Sequence, residues 1–150
     1  MSQAFVRTAA KSDVPFVCRL QQQWLEEDNT YGFEPDNSEQ VEAALGSYFL
    51  VAEAKSEIIG FIFGSIYTSD GLAVIPAGES YLVIDNLYVL PEFRRQGIGG
   101  KLVAQLLTQA RQQNVAYALL YSAAKDIQSI LRFYGQHNFQ SWNVQMFQKL

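Results

Sequence analysis

A chain of 150 residues with a net charge of −4 and nearly half its residues apolar is sized for one domain, residues 1–150, and composed for a packed core rather than disorder. The acidic balance argues against a general nucleic-acid binder, which shows a basic face. The single cysteine, Cys18, and single histidine exclude an intrachain disulfide and argue against a zinc site, so no metal is expected. No apolar run is long enough to span a bilayer, and MSQAFVRTAAKSD lacks the basic-then-apolar pattern of a leader. A cytoplasmic protein without membrane contacts is the expectation.

Residues 4–8 alternate as a short strand. Ser12 or Asp13 can cap a helix whose first turn holds Pro15 and whose apolar stripe runs through Val14, Val17, Leu20, Trp24 and Leu25. An acidic, turn-rich segment, 26-EEDNTYGFEPDN-37, follows, and Ser38 is read as the cap of a short helix over 39–45. Strands 48–54 and 58–68 flank the polar turn Lys55-Ser56-Glu57 as a hairpin. Residues 69–79 form an unusually apolar loop, and 80–89 a long strand stopped by Pro91. Helix 97–113 places Ile98, Leu102, Leu106 and Ala110 on one face. Strand 115–121 is almost continuously apolar and is therefore read as central in the sheet. Helix 126–137 follows, and the tail 139–150 alternates as one or two final strands. The order β-α-α-β-β-β-α-β-α-β(-β) predicts a mixed α/β (α+β) architecture with helices on both faces of one sheet.

The segment 85-DNLYVLPEFRRQGIGGKLVAQLL-107 runs strand, proline turn, basic pair, glycines, helix. The first N–H groups of a helix have no partner inside it, and with the helix dipole they make an anion site. Glycines let a ligand approach the backbone, and arginine supplies forked donors for phosphate oxygens. The chemistry points to a phosphate, and to a diphosphate in particular. A P-loop would need Gly and Ser or Thr where Arg95 and Leu102 stand, and the dinucleotide fingerprint would need a third glycine at Leu102. The pattern that remains is Arg-x-x-Gly-x-Gly at Arg94, Gly97 and Gly99.

Through 82-LVIDNLYVLPEFRRQGIGGKLV-103, supported by 130-ILRFYGQHNF-139, the chain resembles the GNAT superfamily of acyl-CoA-dependent N-acetyltransferases over almost its whole length. The resemblance implies a mixed, mostly antiparallel sheet of six to seven strands flanked by about four helices. It implies acetyl-CoA as acyl donor, with coenzyme A released as product. The turn, Arg94, Arg95, Gln96, Gly97, Ile98, Gly99, Gly100 and Lys101, would hold the pyrophosphate. A bulge at Leu87, Tyr88 and Val89 would bond the pantetheine arm and the thioester carbonyl, as an extended peptide adds to a strand edge.

Transfer to an amine needs a neutral nucleophile, a stabilised oxyanion and a proton for the departing thiolate. By the resemblance, Tyr134 of 133-FY-134 would donate that proton near the CoA sulfur, and Asp85 would act as base directly or through water. Asn86, expected on the opposite face of the strand, takes over if the register turns Asp85 away. Ile127 stands where the family often has an asparagine, for which Asp126 or Ser122 can substitute, and Asn138 stands for the usual glycine after the helix. His137 reads as a helix C-terminal residue. The family's acceptor cleft maps onto the first helices and their loop, here acidic and aromatic, with Trp24, Glu27, Tyr31, Phe33 and Glu34 as candidates. Such a cleft attracts a small cationic amine, such as a polyamine, or a basic side chain. The apolar loop Leu72–Ile75 and the aromatic tail are candidate contacts of a homodimer. The alternative reading is a non-catalytic acyl-CoA-binding or sensing module on the same fold.

Overall fold

The computed structural model describes residues 3–150. The reading of the N-terminal residues as free of a leader includes Met1 and Ser2, which lie outside those described. The elements are β1 (Phe5–Thr8), α1 (Val14–Glu27), α2 (Ser38–Ala43), β2 (Phe49–Ala54), β3 (Glu57–Thr68), β4 (Ser80–Val89), α3 (Ile98–Gln112), β5 (Tyr117–Leu120) and α4 (Ile127–Gly135). The strands form one sheet in the order β1-β2-β3-β4-β5, antiparallel except for the parallel pair β4–β5.

Local chemistry explains the joints. The β2–β3 hairpin turns on Lys55 and Ser56, both at positive φ (50° and 64°), the twist that suits a two-residue connection. Asn37, not Ser38, caps α2: its side chain accepts from the Gln40 N–H at 2.8 Å while the Gln40 side chain accepts from the Asn37 N–H at 2.9 Å. At α1 neither Ser12 nor Asp13 makes the expected cap. The Asp13 carboxylate turns back to accept the Ala10 N–H at 2.7 Å and pairs with Arg7 at 2.8 Å.

Alternation along the strands sends one set of side chains to each face. Leu50, Ala52, Ile62, Leu82 and Ile84 pack under α3, whose Leu102 and Leu106 are fully buried. Phe49, Val51, Phe61, Phe63 and Tyr88 pack under α1 and α2 with Val17, Leu20 and Val41.

Three expectations change. The sheet has five strands rather than six or seven. β5 is an edge strand rather than a central one, despite its apolar run. Residues 139–150 form no strand: past Phe139 the tail makes no backbone hydrogen bond to the sheet, and Trp142, Val144, Met146 and Phe147 lie open to solvent.

Candidate active site

β4 and β5 pair only from Tyr81↔Tyr117 to Ile84↔Leu120. Beyond that row the strands part, and a cleft of about 1070 Å³ opens between β4 and the 120–124 segment, running down to the head of α3 and the inner side of α4. β4 also carries a bulge, but not where expected. Phe63 faces Asn86 and Gly64 faces Ile84, so Asp85 is the extra residue. A Cβ on Gly64 would sit 2.4 Å from the Val83 carbonyl oxygen, so the bulge requires glycine opposite it. Leu87, Tyr88 and Val89 lie past the bulge, where β4 has lost β5 as a neighbour and borders the cleft.

The bulge also resets the alternation. Asp85 accepts from the Ser65 hydroxyl at 2.9 Å, and Asn86 accepts from the Gln21 amide at 3.3 Å, so both side chains lie on the α1 side of the sheet rather than on opposite faces. Asp85 is raised above the usual carboxylate range by burial, against the hydrogen bond from Ser65, with the nearby Asp36 adding to the rise. A carboxylate poised upward in this way is a better proton acceptor near neutrality. Gln21 was not foreseen. It is fully buried in the apolar stripe of α1, its amide donating to Asp36 at 3.1 Å and its carbonyl accepting the Asp36 N–H at 2.7 Å. A lone amide in an apolar stripe is the sequence signal that could have found it, because a buried amide must be satisfied.

At the turn, the chain leaves β4 through Leu90, makes one 3-10 turn at Pro91–Phe93, and enters α3 after Gly97. Gly97 holds φ 80° as the N-cap, which glycine tolerates freely, whereas Arg95 holds φ 63°, a conformation costing a non-glycine residue about 1 kcal/mol. The N–H groups from Arg95 to Gly100 donate to no protein acceptor among the described residues. They crowd at the positive end of a helix 15 residues long. Phe133 and His137 of α4 and its end pack beneath Gly99 and Gly100. Such a ring of unpaired donors suits a diphosphate.

Arg94 is committed elsewhere. Its guanidinium makes two 2.7 Å bonds to Glu27 at the end of α1, its Nε donates to the Val89 carbonyl at 2.8 Å, and it lies over the Tyr88 ring. The Tyr88 hydroxyl donates to the same Glu27 carboxylate. Burial resists ionisation of Glu27, but the bonds from Arg94 and Tyr88 outweigh it and hold the carboxyl below its usual range. Glu27 is therefore not open to a cationic acceptor, and it does not line the cleft. Lys101 and the Gln96 side chain lie outside the cleft as well: Lys101 borders a separate groove beside Val6, and the Gln96 amide turns to the Glu92 carbonyl.

Phe33, Trp24 and Tyr88 stack in series, with centroids 4.1 Å and 5.4 Å apart, and form one wall. Glu34, Asp36 and Tyr31 line the same side. The loop after α1 crosses the opening of the splay and is tied to the segment after β5. Tyr31 N–H donates to the Ala123 carbonyl and Lys125 N–H to the Asn29 carbonyl, both at 2.9 Å, and Lys125 pairs with Asp28 at 3.1 Å. On the opposite wall Tyr134 is buried, its hydroxyl making no hydrogen bond among the described residues, and burial pushes its pKa up to about 12. Ser122 and Asp126 also border the cleft, though Asp126 is engaged in capping α4 through Ser129. Among the described residues no group of His, Cys, Asp and Glu could hold a metal, and no helix is long and apolar enough to cross a membrane.

A strand-edge splay closed at its foot by a helix N-terminus is a place for an extended, phosphate-bearing ligand, and comparison with known proteins supplies the class. The model of the acetyltransferase (GNAT) family matches residues 17–139, and the chain belongs to that family. No curated protein matches it. A predicted acetyltransferase from Clostridium acetobutylicum, crystallised with acetyl-CoA, superposes with a TM-score of 0.73 at 18% identity, covering 98% of this chain and 96% of that one. An aminoglycoside acetyltransferase from an uncultured soil metagenomic sample, in complex with trehalose, gives a TM-score of 0.71 at 21% identity, again over 98% and 96%. AAC(6')-Iy, in complex with a bisubstrate analogue of CoA and acetylneamine, gives 0.72 at 18% identity over 99% of both chains.

Proposed function

We propose that this protein is an acetyl-CoA-dependent N-acetyltransferase acting on a cationic primary amine. The observation that carries the reading is the row of unpaired N–H groups from Arg95 to Gly100, set at the foot of the splayed strand. Those donors and the Arg95 side chain suit the pyrophosphate of coenzyme A, and the free edge of β4 at Leu87–Val89 suits its peptide-like arm. Coenzyme A supplies the activated acetyl thioester. Asp85, raised by its surroundings, removes the proton from the ammonium, and the amine nitrogen bonds to the acetyl carbon as the carbon–sulfur bond breaks. Tyr134, kept protonated by burial, gives its proton to the thiolate, and the second proton that the nitrogen sheds as the amide forms restores it. No covalent enzyme intermediate is needed.

The acidic side of the cleft, with Glu34, Asp36 and Asp85 beside the stacked aromatics, favours a cationic acceptor. Two solved structures that share the fold are described as aminoglycoside acetyltransferases, which supports a polyamine, an aminoglycoside-like polycation or a basic side chain. The first test is thermal unfolding with CoA, acetyl-CoA, NAD and ATP. At a hundred times its Kd a ligand adds ~2.7 kcal/mol of stability. A shift with the CoA compounds alone, followed by turnover of polycationic but not anionic amines, is the expected result. No shift at millimolar CoA removes the donor, and turnover restricted to uncharged or anionic amines removes the acceptor class.

A further inference from the structure

Among the described residues Gln21 is the only asparagine or glutamine buried from solvent. It stands in the stripe of α1 beside Val17 and Leu20, where an apolar residue would serve the packing. Burying an amide costs free energy unless its hydrogen bonds are met, so its partners show what it is for. Its carbonyl accepts the Asp36 N–H at 2.7 Å, and its nitrogen donates to the Asp36 carboxylate at 3.1 Å and to the Asn86 side-chain oxygen at 3.3 Å. The Asn86 nitrogen in turn donates to the Asp85 carbonyl at 2.9 Å, at the bulge. One buried side chain therefore grips Asp36 by main chain and carboxylate together, and orients the amide next to Asp85.

The two acids joined in this way have no basic partner. Asp13 and Glu53 share Arg7, and Glu27 holds Arg94, but among the described residues no lysine or arginine pairs with Asp36 or Asp85. Nothing else around the pair supplies a positive charge. β3 offers Asp85 only the Ser65 hydroxyl. α1 adds Cys18, whose thiol is pushed up by burial, with the Asp36 charge adding to the rise. Glu34 puts a like charge on the same wall, and the segment after β5 and α4 bring the hydroxyls of Tyr121 and Tyr134. Tyr88 and Arg94 are spent on Glu27. Like charges held close oppose the ionisation of each other, and the Asp36 charge adds to the rise that burial imposes on Asp85.

We propose that Gln21 is a positioning residue of this site: it holds the Asp36 carboxylate at the β4 bulge, so that the loop before α2 and the charge state of Asp85 are coupled through one buried amide. The proposal rests on the reading of Asp85 as the base and of this wall as the acceptor side. A carboxylate on an unrestrained loop turns to water, where its field is screened. Gripped at both its N–H and its carboxylate, Asp36 keeps its charge on the cleft side. An arriving ammonium is then the cation that both acids lack. It is drawn in by Asp36 and gives its proton to Asp85, while Asp36 stays ionised and holds a remaining N–H of the amine. Gln21 touches neither substrate nor cofactor in this scheme and acts through Asp36 and Asn86.

The test is the NMR titration of the side-chain carboxyl carbons of the full chain, with Asp85→Asn to assign the Asp85 signal. It needs no substrate. Gln21→Met keeps the length of the side chain and removes the amide. Asp36→Asn removes the charge but keeps an oxygen for the Gln21 N–H, and it tests the coupling even if Gln21→Met does not fold. The expected result is an Asp85 midpoint that falls by roughly half a pH unit in each variant, and no further in the double variant, since both remove one and the same charge from the bulge. An Asp85 midpoint unchanged in Gln21→Met, with circular dichroism intact, would make Gln21 a packing residue and overturn the proposal. An unchanged midpoint in Asp36→Asn, or falls that add in the double variant, would overturn it too, because Gln21 would not act through Asp36. The proposed function fails separately. A wild type that acetylates none of the amines leaves these titrations as they are, and an acid limb of kcat/KM that ignores a moving Asp85 midpoint removes Asp85 as the base without removing the coupling.

Discussion

Tyr134 and Asp85 show how position on a bulged strand or a short helix sets chemistry. Burial holds the Tyr134 hydroxyl up to about 12, so it stays a proton donor at any working pH. Tyr134→Phe should lower kcat roughly 100-fold while the acetyl-CoA Kd stays within about threefold, as expected for a group that acts in the transition state. Asp85 is shifted in the same direction by the same cause, in a more acidic window. Its folded pKa lies above the unfolded one, so the ionised carboxylate weakens the fold at neutral pH, and the penalty disappears as pH falls through the raised value. Asp85→Asn should therefore raise the Tm at pH 7, with the difference vanishing in acid, while kcat falls by roughly 100-fold or more. Equal Tm at both pH values, or unimpaired turnover, would remove Asp85 from the role of base.

Between elements, two charge clusters do different work. Arg7, Asp13 and Glu53 tie β1, β2 and the start of α1 together. The hydrogen bonds from Arg7 lower the Asp13 carboxyl against its burial, so the pair stabilises the fold above the ordinary carboxylate range and that contribution is lost as pH falls through the lowered value. Asp13→Asn should cost about 2 kcal/mol in urea unfolding at pH 7, less than a fully buried pair because Arg7 keeps Glu53. The Glu27–Arg94–Tyr88 cluster joins the end of α1 to the turn before α3, and so sets the aromatic wall of the cleft against the glycine turn. Glu27→Gln should raise the acceptor KM about tenfold and leave the acetyl-CoA Kd within about threefold. A tighter Kd would instead mean that the freed Arg94 reaches a phosphate.

For the molecule as a whole, a net charge of −4 and an acidic cleft wall should steer a cationic amine. Raising ionic strength from about 0.05 to 0.5 M shortens the Debye length to a few ångströms, so kcat/KM for a polyamine should fall several-fold while that for a neutral amine changes little. Parallel salt curves for the two would place the acceptor charge outside the recognition.

The sequence by itself determined the alternation of strands and helices, because periodicity and turn chemistry are local: the Lys55–Ser56 hairpin, the stripe of α3 and the glycine turn all stand as read. It also determined the family, since the residues from Asp85 to Lys101 carry a contiguous pattern. What only the tertiary structure decided are relations across the chain. The bulge falls at Asp85 because Gly64 lets the Val83 carbonyl approach, and that close pass joins residues far apart in sequence. Glu27 and Arg94 each read as a ligand-binding charge on its own, and lost that freedom by meeting each other 67 residues apart. Gln21 became part of the site by reaching Asp36 and Asn86 through the core. β5 has the composition of a central strand and the tail the alternation of a strand, yet pairing needs a neighbour in space: β5 has one on a single side, and the tail, read as strand, forms none.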